Sequence, residues 1–296
     1  MLTRVTDPLD ELYPGWRHLV AIARLDRPIG ILLLLWPTLW ALTIAAEGWP
    51  GWHLALVFVL GTVLTRSAGC IINDFADREL DGHVERTQGR PLATGELPVF
   101  DAMAFMGVLL FLALVLVLST NFLTVVLAAV GALVAAIYPF MKRYTYMPQV
   151  VLGVAFSTGI LMAFTAVTGS IPNEAWLLFS ANLLWTVAYD TEYAMVDRDD
   201  DLKIGIRSTA ILFGDLDRVA IGTLQVLFLG IILLAARDLE LSFWFAPGFL
   251  AAAGLLGYQQ YLIRDRAKPG CFAAFLNNHW VGFALFMGLV MHYIIA

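Results

Sequence analysis

What this chain has least of is charge. Asp, Glu, Lys and Arg make up 14% of its 296 residues, where a soluble domain carries roughly 25%. A chain so poor in polar groups does not read as a water-exposed globule. Cysteine is equally thin: Cys70 and Cys271 stand alone without metal-type spacing, and both read as small apolar residues. The histidines His18, His53, His83, His279 and His292 are scattered and form no ligand set. No basic patch marks the chain for nucleic acid. No strand-like alternation runs long enough for a barrel. The first 27 residues lack a signal-peptide apolar core, and Asp7, Asp10, Glu11 and Asp26 make them too acidic for a transit peptide. The expected setting is therefore a bacterial cytoplasmic membrane rather than an organelle.

What fills the chain instead is apolar: 60% of residues are hydrophobic and the mean hydropathy is +0.77. The expected class is an all-α polytopic membrane protein. Residues 1–28 are polar, with Trp16, Leu19, Val20 and Ala23 at helical spacing, as in a segment lying on the membrane surface. Apolar runs then follow at Ile29–Ala46, His53–Ile72, Phe100–Ser119, Phe122–Phe140, Gln149–Thr168, Ala175–Ala194, Asp217–Ala236, Ser242–Ile263 and Trp280–Ile295. Each is near the ~20 residues that span a bilayer, which predicts nine transmembrane helices in one membrane domain. If the runs alternate in direction, sixteen of the eighteen basic residues fall on one side. Only Arg237 lies opposite, and Arg66 lies within the second run. Positive charge marks the cytoplasmic side, so the N-terminus and the loops after runs two, four, six and eight are expected there. Arg90-Pro91-Leu92-Ala93-Thr94-Gly95 and Arg207-Ser208-Thr209-Ala210, each trailing an acidic cluster, hint at a duplicated four-helix unit.

The acidic clusters organise the rest. Asn73, Asp77 and Asp81 are spaced i, i+4, i+8 and stack on one face of any helix continuing from the second run. Asp197, Asp199, Asp200 and Asp201 follow the sixth run, and Asp197 and Asp201 repeat the i, i+4 spacing. Oxygen ligands in this pattern suit a hard divalent cation. Basic residues are interleaved: Arg86, Arg90, Lys142, Lys203 and Arg207. Acids beside bases point to a metal bridging to phosphate, because Mg²⁺ keeps few protein ligands and completes its shell with phosphate oxygens, while Arg and Lys take the remaining charge. Arg66 precedes Asn73 by seven residues, about 10 Å deeper on the same face, where a cation faces an interior cavity, snorkels or pairs with an acid. Tyr138 and Lys142 are i, i+4 if the helix survives Pro139. Lys142 and Arg143 are equally readable as membrane anchors. Asp190 is placed to support the metal site or an Arg, and Glu192 to face solvent or another helix. Trp and Phe are read mainly as bilayer-facing, with some lining any cavity for a lipid substrate.

Asn73-x-x-x-Asp77-x-x-x-Asp81, Tyr138-x-x-x-Lys142 and Asp197-x-x-x-Asp201 together resemble the UbiA superfamily of intramembrane aromatic prenyltransferases. Tyr189 to Asp201, Lys203-Ile204-Gly205-Ile206-Arg207 and Arg24-Leu25-Asp26-Arg27-Pro28-Ile29-Gly30 are similar to its branch acting on 4-hydroxybenzoate in ubiquinone biosynthesis. The resemblance spans essentially the whole chain. It implies nine helices around a cavity open to lipid, with the acidic motifs as a cytoplasmic cap, and Mg²⁺ ions holding the diphosphate of a polyprenyl donor. It implies that Asp77, Asp81, Asp197 and Asp201 hold metal with Asn73 assisting, and that Arg86, Arg90 and Lys142 contact diphosphate. Arg66 and Arg143 compete for the benzoate carboxylate; Asp74, Tyr138 and Asp190 support. A cation-coupled transporter would need no such paired motifs. A CDP-alcohol phosphotransferase would carry Ala-Arg where Glu85-Arg86 stands and an Asp where Val99 stands. A different aromatic acceptor is the remaining alternative.

Overall fold

The computed structural model describes Tyr13 and residues 15–295, so Arg4, Asp7, Asp10 and Glu11 lie outside the described residues, as does the first part of the expected surface segment. The described residues contain helices and no strand. In order they are α1 (Trp16–Ile22), α2 (Ile29–Ala45), α3 (Gly51–Asp77), α4 (Pro91–Thr94), α5 (Val99–Val117), α6 (Phe122–Met141), α7 (Pro148–Thr168), α8 (Asn173–Ile204), α9 (Thr209–Phe213), α10 (Asp217–Asp238), α11 (Ala246–Leu262) and α12 (Lys268–Ile295). Local chemistry sets several of the ends. Asn121 caps α6 by accepting the Thr124 amide at 3.0 Å. Pro148 opens α7, where a missing N–H costs nothing. Gly205 closes α8 at φ +74°, a left-handed conformation that glycine adopts without strain.

Six stretches among the described residues are long and apolar enough to cross a bilayer: α3, α5, α6, α7, residues 209–238 and α12. α2 is a shorter apolar helix. Each expected run is helical, but three boundaries differ usefully. α3 runs on through Asn73 and stops at Asp77, so Asp81 is not on it; it sits in a 3₁₀ turn, Asp81–His83. The expected i, i+8 stack therefore holds only for Asn73 and Asp77. α8 continues ten residues past Ala194, so Asp197 and Asp201 ride on its last turns and not on a loop. α12 begins at Lys268, twelve residues before Trp280. Hydropathy misses these extensions because they lie where a helix leaves the apolar layer and its residues turn polar.

The core is aromatic. Trp185 on α8 stacks between Trp40 of α2 and Phe228 of α10, with centroids 5.4 and 5.5 Å away, and Tyr189 meets its edge at 5.3 Å. All four side chains are fully buried. Both indoles are tethered as well, Trp40 Nε1 to the Gly282 carbonyl at 2.9 Å and Trp185 Nε1 to Asn278 Oδ1 at 2.8 Å. These tryptophans are thus packing residues, against the bilayer-facing role expected of most. The bilayer-type surface lies elsewhere, on α5 and α6, where Phe111, Leu114, Val130 and Leu133 are exposed.

Glycines let helices touch where packing, rather than the hydrophobic effect, must hold them together. A Cβ on Gly248 of α11 would strike the Ala284 carbonyl of α12 and lie 2.8 Å from the Gly288 Cα. Backbone is the obstacle, so no side-chain rotation relieves it. Gly248→Ala is expected to cost about 1–3 kcal/mol and to lower the melting temperature in detergent by several degrees. An unchanged melting curve would mean that α11 and α12 are not this close.

Candidate active site

Three helix ends and one loop meet at the acid-bearing end of the bundle. α3 delivers Asp74 and Asp77. Lys142, just past α6, donates to Asp77 Oδ2 at 2.5 Å. The other oxygen, Asp77 Oδ1, is buried and has no hydrogen-bond partner. The loop after α3 supplies Asp81, Arg86 and Arg90. Arg90 Nη1 lies 2.9 Å from both Asp74 and Asp81, tying helix to turn. Burial raises the Asp81 carboxyl above its ordinary range; Arg90 pulls it down, and the charges of Asp77 and Asp74 push it up.

Arg86 makes the connection between clusters. Its Nε donates to Asp197 Oδ1 at 3.0 Å, and its Nη1 to the Tyr193 hydroxyl. The guanidinium also lies over the Tyr193 ring, 4.4 Å from the centroid. An arginine of the first motif thus grips the first acid of the second. Asp201, one turn on, lies in the field of Asp197, Lys142 and Arg86. Arg207 N donates to the Lys142 carbonyl at 3.0 Å, closing the ring between α6 and the segment after α8. Asp190 lies in the field of Arg66, Arg86 and Asp197. Asn73 is half-buried one turn before Asp77. Asp199 is exposed, and Asp200 pairs with Lys203 at 3.0 Å, so neither joins the group.

The two carboxylate-binding candidates fall in different places. Arg143 is exposed and donates to the Ala76 carbonyl at 2.5 Å. Arg66 lies inside the bundle: Nη1 donates to Cys70 Sγ at 2.7 Å, and the guanidinium sits 5.8 Å from the Phe156 centroid. Tyr138, Tyr189 and Tyr193 surround it. It packs so tightly on α2 that a Cβ on Gly30 would fall 2.6 Å from Nη2. Its Nε is buried without a partner. Among the described residues no carboxylate forms an ion pair with it.

Some of what holds the site was not singled out from sequence. Arg24, at φ +56°, donates from Nη2 to both Asp74 oxygens at 2.9 and 2.8 Å. It lies in the segment quoted only for the family resemblance. Fully buried Asp217, at the start of α10, binds Arg266 at 2.8 Å and Arg198 at 3.4 Å, and Arg198 is the neighbour of Asp197. Its signal was an acid opening an apolar run. Glu192 is buried and faces α10 and α12, accepting from Gln225 at 3.3 Å and Asn278 at 2.9 Å.

Among the described residues, no three His, Cys, Asp or Glu side chains stand assembled as a metal site. Each of Asp74, Asp77, Asp81 and Asp197 is neutralised by a base instead. The donor set nonetheless suits a hard cation, being all oxygen, and the orphaned buried Asp77 Oδ1 has a lone pair to give.

The model of the UbiA prenyltransferase family matches residues 34–288. A 4-hydroxybenzoate octaprenyltransferase of Pseudomonas fluorescens strain SBW25 is 56% identical over 293 residues, 99% of each chain. One from Pseudomonas aeruginosa strain UCBPP-PA14 is 57% identical over the same share. Among solved structures, a UbiA homolog from Aeropyrum pernix K1 superposes with a TM-score of 0.77 at 20% identity, covering 86% of this chain and 96% of that one. A UbiA homolog from Archaeoglobus fulgidus bound to GPP and Mg²⁺ gives 0.71 at 15% identity, covering 94% and 100%. At those identities the two structures speak for the fold.

The pairing of Asp77 with Lys142 makes a testable competition. Lys142→Met leaves a buried carboxylate without its counter-charge, so the variant should melt lower in chelator. Added Mg²⁺ should then raise its melting temperature at several-fold lower concentration than for the parent, because metal no longer competes with an ammonium. Equal Mg²⁺ responses would remove Asp77 from the ligand set.

Proposed function

The chain belongs to the UbiA prenyltransferase family, and from that premise we propose that it transfers a polyprenyl group from polyprenyl diphosphate to 4-hydroxybenzoate, ortho to the hydroxyl. The product is a 3-polyprenyl-4-hydroxybenzoate, as ubiquinone biosynthesis requires. The names of the relatives point to a donor of eight isoprene units. The observation that carries this reading is the acid–base ring that joins the two motifs through Arg86 and Asp197.

Asn73, Asp77, Asp81, Asp197 and Asp201 would hold Mg²⁺. Bound Mg²⁺ would supply charge neutralisation for the diphosphate leaving group. Arg86 and Lys142 are each matched with one carboxylate and Arg90 with two. They turn to the diphosphate when it arrives, and their charge eases departure of the leaving oxygen as the allylic C–O bond ionises. Below them stand Tyr193 and Phe275, with centroids 4.5 Å apart, then Tyr189, 6.2 Å from Phe275. These faces stabilise the allylic cation and exclude water that would quench it. Arg66 holds the acceptor carboxylate, with Tyr138 beside it. The ring carbon ortho to the hydroxyl attacks the cation, and loss of that carbon's proton restores aromaticity.

The same reading takes the chain as one membrane domain of nine spans, set in a bacterial inner membrane with the acid-bearing end cytoplasmic. Its support is the gathering of basic residues at that end. A cation-coupled transporter finds no comparable support: Arg86, Arg90 and Lys142 are each paired with an acid at one end of the bundle, where a diphosphate and its metal would be met.

Two experiments test the assignment. Asp77→Asn and Asp197→Asn, one in each motif, should each abolish diphosphate release from polyprenyl diphosphate in the presence of 4-hydroxybenzoate, and chelation should do the same reversibly. Near-normal turnover of either variant at saturating Mg²⁺ would refute the bridging role. Arg66→Lys should raise the KM for 4-hydroxybenzoate about tenfold, since a charge-assisted bidentate contact is lost, with little change in donor KM. A selective rise in donor KM would make Arg66 a diphosphate ligand and pass the carboxylate to Arg143.

A further inference from the structure

Outside this site, α10 and α11 stand apart over their upper halves and leave a groove of about 590 Å³. Glycines help to open it: Gly222 and Gly257 both line the groove, and neither carries a side chain to fill it. Its walls, apolar but for Gln225 and Gln260, run from Val219 to Leu229, a depth of roughly 15 Å at the helical rise. That is about half the hydrocarbon thickness, the reach of one leaflet. Part-way down, beside Gly222, Gln260 Nε2 donates to Gln225 Oε1 at 2.9 Å, and Val226 and Leu229 line the groove below that pair.

The mouth of the groove lies at the acid-bearing end, because Asp217 beside it is tied to Arg198 next to Asp197. Two arginines and one acid line that mouth: Arg218, Arg266 and Asp215. Arg266 is spent on Asp217 and on the Asp215 carbonyl. Arg218 is not: its Nη1 reaches only the Arg264 carbonyl at 2.9 Å, it makes no ion pair among the described residues, and its Nε is buried with no partner. The Asp215 carboxylate is exposed and likewise makes no ion pair among the described residues. The groove thus presents one unspent cation and one unspent anion at the polar–apolar boundary, above an apolar slot one leaflet deep. A guanidinium at that depth needs an anion, and phosphate is the anion its planar fork binds best. A carboxylate beside it selects a headgroup with an N–H-bearing cation.

We propose that this groove binds one zwitterionic phospholipid with a primary ammonium, a phosphatidylethanolamine, its phosphate on Arg218, its ammonium toward Asp215 and one acyl chain between α10 and α11. The site is separate from the acid–base ring, and the proposal does not depend on the reaction assigned there. The test is native mass spectrometry of the delipidated full chain in detergent, titrated with phosphatidylethanolamine, phosphatidylglycerol or phosphatidylcholine of matched acyl chains. One phosphatidylethanolamine should be retained, about tenfold more tightly than phosphatidylcholine, whose ammonium has no N–H to donate. Arg218→Ala should reduce its retention about tenfold, and Asp215→Asn should erase the preference among the three lipids. Gly222→Leu, a second variant that leaves Arg218 in place, should block the site whatever the headgroup; its first side-chain carbon would lie 3.6 Å from Gln260, an ordinary contact. Equal retention of all three lipids by the parent would overturn the proposal, as would a preference for phosphatidylglycerol. So would retention unmoved by Gly222→Leu, and so would a Gly222→Leu variant whose only change is a raised KM for the prenyl donor, which would make the groove a channel for the donor's tail.

Discussion

The structure depends on one electrostatic constraint: carboxylates crowded at a low-dielectric edge must each have a cation. Asp74, Asp77 and Asp81 are all buried, within a few residues of one another. Left unpaired, they would repel one another and pay the full cost of desolvation. Arg24, Lys142 and Arg90 meet that demand from three different parts of the chain. Because each base comes from a separate element, neutralising the acids also fixes where those elements sit. The segment before α2, the end of α6 and the loop after α3 are all drawn to the end of α3, and Arg86 carries the tie on to α8.

A second polar system performs the same service deeper down without formal cations. Glu192 sits between Gln225 and Asn278; Gln225 reaches Gln259 and Gln260, and Asn278 takes the Trp185 indole. In lipid, helices gain little from the hydrophobic effect on meeting one another, so shape and hydrogen bonds must choose the partners. This amide chain gives α8, α10, α11 and α12 one mutually satisfied arrangement. Sliding any of these helices by a turn would leave a buried amide unpaired. The aromatic stack of Trp40, Trp185 and Phe228 lies beside it and is held in register by the same indole contacts.

The helices were legible because twenty apolar residues in a row have one cheap conformation in lipid, in which every backbone group is satisfied internally. That is why the expected run at Phe122–Phe140 differs from α6 by a single residue. Helix ends were less legible where chemistry, not hydropathy, sets them: α8 persists through six acids and bases to Gly205, because that glycine and not the loss of apolar residues ends it. The acids and bases of the site were legible from type and spacing, and the structure brings them together. Their pairing was not. Which base serves which acid is a matter of three-dimensional reach, and no spacing rule would match Arg86 with an aspartate 111 residues away. Arg24 and Asp217 were missed for a related reason, since each is a lone charge whose meaning comes entirely from its partner.

The pairing also bears on how such a site can be both stable and reactive. An acid–base ring that were only structural would leave no acceptor atom unused, since an unsatisfied buried oxygen costs stability. Yet Asp77 Oδ1 and Arg66 Nε are both buried and both without partners, one an acceptor near the mouth and the other a donor some three helical turns deeper on α3. They are opposite in kind and separated along a single rigid helix. Under the proposed function, an open acceptor atom above and a cation lacking an anion below would suit two different occupants held at a fixed distance, a metal-laden diphosphate and an acid of the aromatic class. In that reading the two atoms would divide the site into a donor half and an acceptor half, with α3 setting the distance between them.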